Sequence, residues 1–153
     1  MRRLLFATIM LLAFFACDDK DIVGDKFVLF EPRHITITRE EGKTFTIVGN
    51  CDCVPQGIRK TYYRGNELYP DGATERIKWY PVDKNDGCFD ESLLQEYYEG
   101  FGCRLDIHNQ RQYTITLDAN IDCDDITIFF YEIQNNKKKT ISIVPSGFSM
   151  YIR

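Results

Sequence analysis

A chain of 153 residues with a formal net charge of −4, 44% hydrophobic and 14% aromatic residues, is long and apolar enough for one core and too acidic for a nucleic-acid footprint. Its basic residues are scattered, with one exception, Lys137-Lys138-Lys139. That triplet follows Gln134-Asn135-Asn136 between two strand-like runs and reads as a solvated hairpin tip. One domain with no nucleic-acid partner is expected.

The chain opens on Met1-Arg2-Arg3, followed by an uncharged run from Leu4 to Phe15 that is apolar but for Thr8, and then the small residue Ala16. A membrane-spanning helix needs about 20 apolar residues. This run is shorter and has the form of a secretion signal, so residues 1–16 are expected to be removed. The string Phe14-Phe15-Ala16-Cys17 resembles the lipobox of bacterial lipoproteins, with Phe14 where that pattern usually has Leu. The resemblance implies cleavage before Cys17, acylation of its sulfur, and a membrane partner engaged through the lipid anchor. The acidic cluster Asp18-Asp19-Lys20-Asp21 resembles the signal that sends some lipoproteins to the outer face of the outer membrane, and reads equally as a solvated tether. Residues 17–26 are therefore expected to be a lipidated N-terminus and tether, and residues 27–153 a single domain.

Within that domain, apolar residues alternate with polar ones at period two and are rich in Ile, Thr, Tyr, Phe and Val, the pattern of half-buried strands. His34–Thr38 and Lys43–Val48 flank Arg39-Glu40-Glu41-Gly42 and predict a hairpin. Lys60–Arg64 and Glu67–Tyr69 flank Gly65-Asn66, a two-residue turn that matches strand twist. Arg76–Val82 reads as a further strand. Cys103–Ile107 predicts a hairpin with Tyr113–Leu117 through His108–Arg111, and Ile126–Ile133 predicts one with Thr140–Val144. Phe148–Ile152 closes the chain. One segment reads as helical: Asp90–Glu99 has Asp90 or Ser92 as N-cap, Gly100 and Gly102 as stops, and Phe89, Leu93, Tyr97 and Phe101 at spacing four.

Short strands with regular turns suggest an all-β sandwich or barrel. The runs Phe45–Asn50 and Thr114–Asn120, with Trp79 between them, resemble the immunoglobulin-like modules of Gram-negative surface lipoproteins, nearest the BACON type. The pattern gives about nine strands with one short helix, and the resemblance implies that they form an antiparallel immunoglobulin-like sandwich with a role in binding carbohydrate or mucin. The alternative is a lipocalin-like barrel, whose Gly-x-Trp signature is absent.

Five cysteines remain beyond Cys17, and a secreted context favours disulfides over metal sites. Cys88 and Cys103 bracket the expected helix, and closing that loop would stabilise by about 3 kcal/mol. Cys51 and Cys53 would face the same way on a strand, so one of them, Cys53 or Cys51, is expected to join Cys123. No Cys-x-x-Cys spacing points to zinc. The acidic string Asp118–Asp125 starts like a calcium loop but carries Cys123 where Gly makes the turn and Phe130 where a bidentate Glu belongs. An acidic surface loop is expected instead.

No nucleophile elbow, paired-histidine motif or phosphate-binding glycine loop is present, so no catalytic role and no cofactor is expected. Nine Tyr, eleven Phe and one Trp favour binding. In the pairs Tyr62-Tyr63 and Trp79-Tyr80, strand alternation sends one ring to each face. The outward rings, rimmed by Arg64, Arg76 and Lys78, could form a platform for a sugar or a partner protein. Two functions are therefore expected to compete: a surface-exposed, non-catalytic module binding a glycan or protein partner, and a structural subunit that contributes strand edges to an envelope assembly.

Overall fold

The computed structural model describes residues 28–64, 67–68, 74–80 and 87–153. The signal, Cys17 and the tether lie outside the described residues, as do Gly65-Asn66 and Val82. The strands are β1 (Phe30–Glu31), β2 (His34–Ile37), β3 (Lys43–Gly49), β4 (Cys53–Thr61), β5 (Tyr63–Arg64), β6 (Glu67–Leu68), β7 (Thr74–Lys78), β8 (Tyr97–Gly100), β9 (Cys103–Ile107), β10 (Gln112–Leu117), β11 (Asp125–Asn135), β12 (Thr140–Ile141) and β13 (Ser146–Ile152). Nine of these have four or more residues.

They form two facing sheets that do not close into a barrel. The first has the order β1-β3-β10-β9-β8, and the second β2-β13-β11-β4-β7, with β12 added to β11 and β5-β6 as a separate hairpin. All pairs are antiparallel except β2 with β13. The chain passes between the sheets at Pro32-Arg33, after which His34–Ile37 lies alongside Ser149–Ile152. The first sheet thus repeats the A-B-E-D order of the immunoglobulin fold, and β13-β11-β4 its G-F-C order. The sandwich expected from strand rhythm is the fold.

Strict alternation makes these segments strands. In β10, Tyr113, Ile115 and Leu117 are buried while Gln112, Thr114 and Thr116 are not. Phe148, Met150 and Ile152 do the same in β13. β11 lies in the middle of its sheet, and Asp125–Ile128 are all buried, so its outer face is covered as well. The main core joins Ile47, Leu105 and Ile115 of the first sheet to Ile58, Ile126, Ile128 and Phe130 of the second. Phe30 links the layers, with its ring centroid 4.6 Å from that of Phe130. A smaller cluster of Val54, Tyr80, Phe89, Ile133 and Ile141 fills one end.

Three local expectations are corrected. His34–Thr38 and Lys43–Val48 do not pair with each other: β2 joins β13 and β3 joins β1 and β10, on opposite sheets. Arg39-Glu40-Glu41-Gly42 turns the chain between layers. The helix over Asp90–Glu99 is also absent. Asp90 does cap, accepting from the Ser92 N–H at 2.9 Å, but it caps a single 3-10 turn over Glu91–Leu93, and Leu94 is already extended. Tyr97–Gly100 then pairs with Cys103–Ile107 as the edge of the first sheet, burying Tyr98 and leaving Tyr97 42% exposed. Sheet edge groups compete successfully with a helix whose supposed apolar stripe includes Leu93, half exposed. Finally, β12 meets β11 only at Ile133↔Ile141 and Asn135↔Thr140, because β13 takes the rest of that flank. The hairpins β9-β10 and β5-β6 pair as expected, and Lys137 and Lys138 are exposed in the turn before β12.

Candidate functional site

Strand alternation places Ile58 and Lys60 on the inner side of β4, opposite Ile77 and Glu75 of β7. Ile58 is buried, but Lys60 falls at the mouth of the sandwich, where the two sheets part. Its ammonium lies 3.0 Å from Glu75, 4.9 Å from the ring centre of Phe101 and 5.4 Å from that of Tyr62. These neighbours hold the Lys60 pKa above its usual value, Tyr62 chiefly and Glu75 next.

Phe101 reaches this mouth from the first sheet by an unusual route. Gly100 and Cys103 pair across the two-residue turn Phe101-Gly102, whose φ values are 55° and 72°. Positive φ at both positions is the I′ turn, which prefers Asn or Asp followed by Gly. A bulky residue at its first position costs about 1–2 kcal/mol in the left-handed region. Such cost persists where surrounding structure or function holds it. The loop from Asp118 to Asp124 completes the mouth. It is pinned throughout: the Asp118 N–H donates to the Gly102 carbonyl (2.9 Å), the Asn120 N–H to the Arg39 carbonyl (2.7 Å), and the Asp124 N–H to the Thr61 carbonyl (3.0 Å). Arg39 returns the contact, donating to the Ile121 carbonyl and the Asp124 carboxylate at 2.8 and 2.9 Å.

The result is a cleft of about 280 Å³ between the sheets, walled by Lys60, Tyr62, Phe101, Asp118, Asn120 and Asp122. Among the described residues, the side chains of Asp118, Asn120 and Asp122 make no hydrogen bond or ion pair within the chain. The aspartates of the loop diverge. Asp118 and Asp122 rim the cleft, Asp124 binds Arg39, and Asp125 is buried with the Thr127 hydroxyl donating to it at 2.8 Å. No group of three or more His, Cys, Asp or Glu side chains converges as a cation site among the described residues. The cleft offers two aromatic edges, one ammonium donor and three uncommitted oxygen-bearing groups on a rigid frame.

The aromatic platform expected from Tyr62, Tyr63, Trp79 and Tyr80 does not form. Tyr80 is 2% exposed in the smaller core cluster, and its hydroxyl donates to the Asp90 carbonyl. Trp79 is half-buried and stacked on Tyr98, at 5.3 Å and 18°. Its indole N–H donates to the Glu99 carbonyl across the gap between the sheets (3.1 Å). It clamps edge strands β7 and β8 together. Tyr62 belongs to the cleft, whereas Tyr63, 41% exposed, lies beyond it with its N–H on Asp124 (2.7 Å). The signal missed in the sequence was Gly100-Phe101-Gly102, a turn with an aromatic where a small residue is usual.

No protein-family model matches this chain, and no curated protein matches it either.

The cysteine pairings are corrected by register. Cys88 bridges to Thr140, beside the end of β11 marked by Asn135. Cys103 pairs with Leu117 at the opposite end of the sandwich, where Asp118 hydrogen-bonds Gly102. The eight steps along β11 from Asp125 to Ile133 span about 26 Å. A disulfide needs Cα atoms within about 7 Å. Cys53, opposite Glu132, is separated from Cys123 by the same length of β4, and Cys51 precedes Cys53 at that far end. Cys103 and Cys123 instead share one end and one core cluster. Cys51, Cys53, Cys88, Cys103 and Cys123 are all thiols in the structure. Burial pushes the pKa of Cys53 and Cys103 up to about 12 and that of Cys123 to about 11, which keeps them neutral and poorly nucleophilic at physiological pH.

Proposed function

We propose that this chain is a cell-envelope lipoprotein, anchored to the outer membrane through a lipid on Cys17 and exposed at the cell surface, whose sandwich is a non-catalytic module that binds glycan at the cleft between its sheets. The observation that carries the reading is Phe101, an aromatic held in a left-handed turn beside Asp118, Asn120 and Asp122, whose side chains have no internal partners among the described residues. Aromatic faces stack on the apolar faces of sugars. Carboxylate, carboxamide and ammonium groups exchange hydrogen bonds with sugar hydroxyls. A pinned loop loses little entropy on binding.

The competing reading, a structural subunit donating strand edges, has weaker support, since the edge strands of both sheets are five residues or shorter among the described residues. A protein partner is the other alternative, and it is less well matched to a narrow polar cleft than to a broad apolar face. The signal and lipobox resemblance supports the location.

The test is retention of the mature chain on immobilised glycans, alongside an Asp118→Ala/Asp122→Ala variant. Loss of retention in the variant, with an unchanged circular dichroism spectrum, is expected. Equal retention by the two proteins, or none by the wild type on any glycan, rejects the cleft. Fractionation of cells carrying Cys17→Ala tests the anchor: wild-type processing and membrane recovery of that variant would rule it out.

A further inference from the structure

The outer face of the second sheet carries a feature independent of the cleft. Arg59 of β4 and Arg76 of β7 are directly cross-strand partners, and Lys78 follows two residues on, opposite Gly57. Side chains so placed start about 5 Å apart at Cβ, and like charges at directly opposed positions are destabilising. Position 57 must stay small, since a Cβ there would meet the Ile77 carbonyl oxygen at 2.4 Å. Around it lies a groove of about 200 Å³ whose walls include Arg59, Arg76, Lys78, Gln56 and Phe129, with no carboxylate among its lining residues. The Arg59 guanidinium sits over the Phe129 ring, 5.1 Å from its centre. Its Nε is buried and has no hydrogen-bond partner. The carboxyl that senses Arg59, Asp125, shares the outer face of β11 with Phe129 but stands four residues further along the strand, does not line the groove, and already accepts a hydrogen bond from the Thr127 hydroxyl. A net-acidic chain has therefore gathered three cations in one concavity without an internal counter-charge lining it.

We propose that this groove is an anion-binding subsite, in which Arg59, Arg76 and Lys78 receive a carboxylate or sulfate ester carried on a polysaccharide. The assignment rests on the glycan reading only for the polymer that bears the charge; the anion contact stands on residues separate from the cleft. An anion between the two guanidiniums relieves their repulsion and accepts hydrogen bonds from them. Such charge-assisted bonds are stronger than neutral ones.

The experiment compares binding of the mature chain to polygalacturonate, dextran sulfate and neutral dextran at fixed ionic strength. Four proteins are used: wild type, Arg76→Gln/Lys78→Gln, Asp118→Ala/Asp122→Ala, and Lys137→Gln/Lys138→Gln, which loses the same charge at an exposed turn. Binding to one or both acidic polymers, with none to dextran, is expected for the wild type, and the two acidic polymers report whether carboxylate or sulfate is preferred. The groove variant should bind the preferred polymer about tenfold or more weakly, while the turn variant binds as wild type. Retained preference for acidic polymer in the Asp118→Ala/Asp122→Ala protein separates this subsite from the cleft, so that either can fail alone. A fifth protein, Arg76→Gln alone, is used for stability only, and without ligand it should be as stable as wild type or more so. Equal affinity of the groove variant and wild type, equal weakening in the turn variant, or destabilisation by Arg76→Gln would each overturn the assignment.

Discussion

Replacing Phe101 with Asn separates a displayed ring from a core ring. Asn tolerates the left-handed conformation that φ 55° imposes, so the substitution recovers most of the backbone cost of about 1–2 kcal/mol. Against this it loses the contact with the Lys60 ammonium, about 0.5–1 kcal/mol at a partly exposed site, and the burial of half a ring, about 1 kcal/mol. These terms nearly cancel, and the expected change in unfolding free energy is a loss of less than about 1 kcal/mol. A Phe that served only to fill the core would lose about 3–5 kcal/mol on truncation. Urea unfolding followed by tryptophan fluorescence measures the difference, with Trp79 as the single reporter. Glycan retention is measured on the same samples, and its loss with stability intact is the expected pattern. A stability loss above about 3 kcal/mol would show that Phe101 is a core residue and that the turn is strained for packing alone.

Two other perturbations test the frame around the cleft. Trp79→Ala removes the stacking on Tyr98 and the bond to Glu99 that tie β7 to β8, and should cost about 3 kcal/mol in urea unfolding followed by circular dichroism, whereas a ring displayed for ligand would cost almost nothing. The buried thiols give a pH signature: the folded pKa of Cys53 lies at about 12 against an ordinary 9.0, so its contribution to stability is whole below pH 9 and is lost as pH rises towards 12. Cys53→Ala should flatten that alkaline decline, and the native protein at pH 8 should label at half-buried Cys51 and Cys88 before Cys53, Cys103 or Cys123; rapid labelling of Cys103 would contradict its burial.

Period-two alternation, turn residues and aromatic content determined the fold class, because each is a local property that a strand satisfies wherever it is placed. Tyr113–Leu117 buries every second side chain, and Cys103–Ile107 is near enough in sequence to find it through a short loop. Which distant strand pairs with which is a different matter. His34–Ile37 and Lys43–Val48 have hairpin spacing yet go to opposite sheets, since β2 finds β13 more than 100 residues away. Asp90–Glu99 satisfied the spacing of a helix, but the open edge of β9 decided in favour of a strand over Tyr97–Gly100. Tertiary structure alone determined the sites. It buried Tyr80, turned Trp79 into a clamp, set Arg59 against Arg76, and brought Lys60, Phe101 and the Asp118–Asp122 loop to one mouth from three separate parts of the chain. It also placed Cys88 and Cys103 at opposite ends of the sandwich, although they are only 15 positions apart. Spacing along a chain fixes the face on which a side chain emerges, whereas the neighbour it meets there depends on pairings formed across the whole sequence.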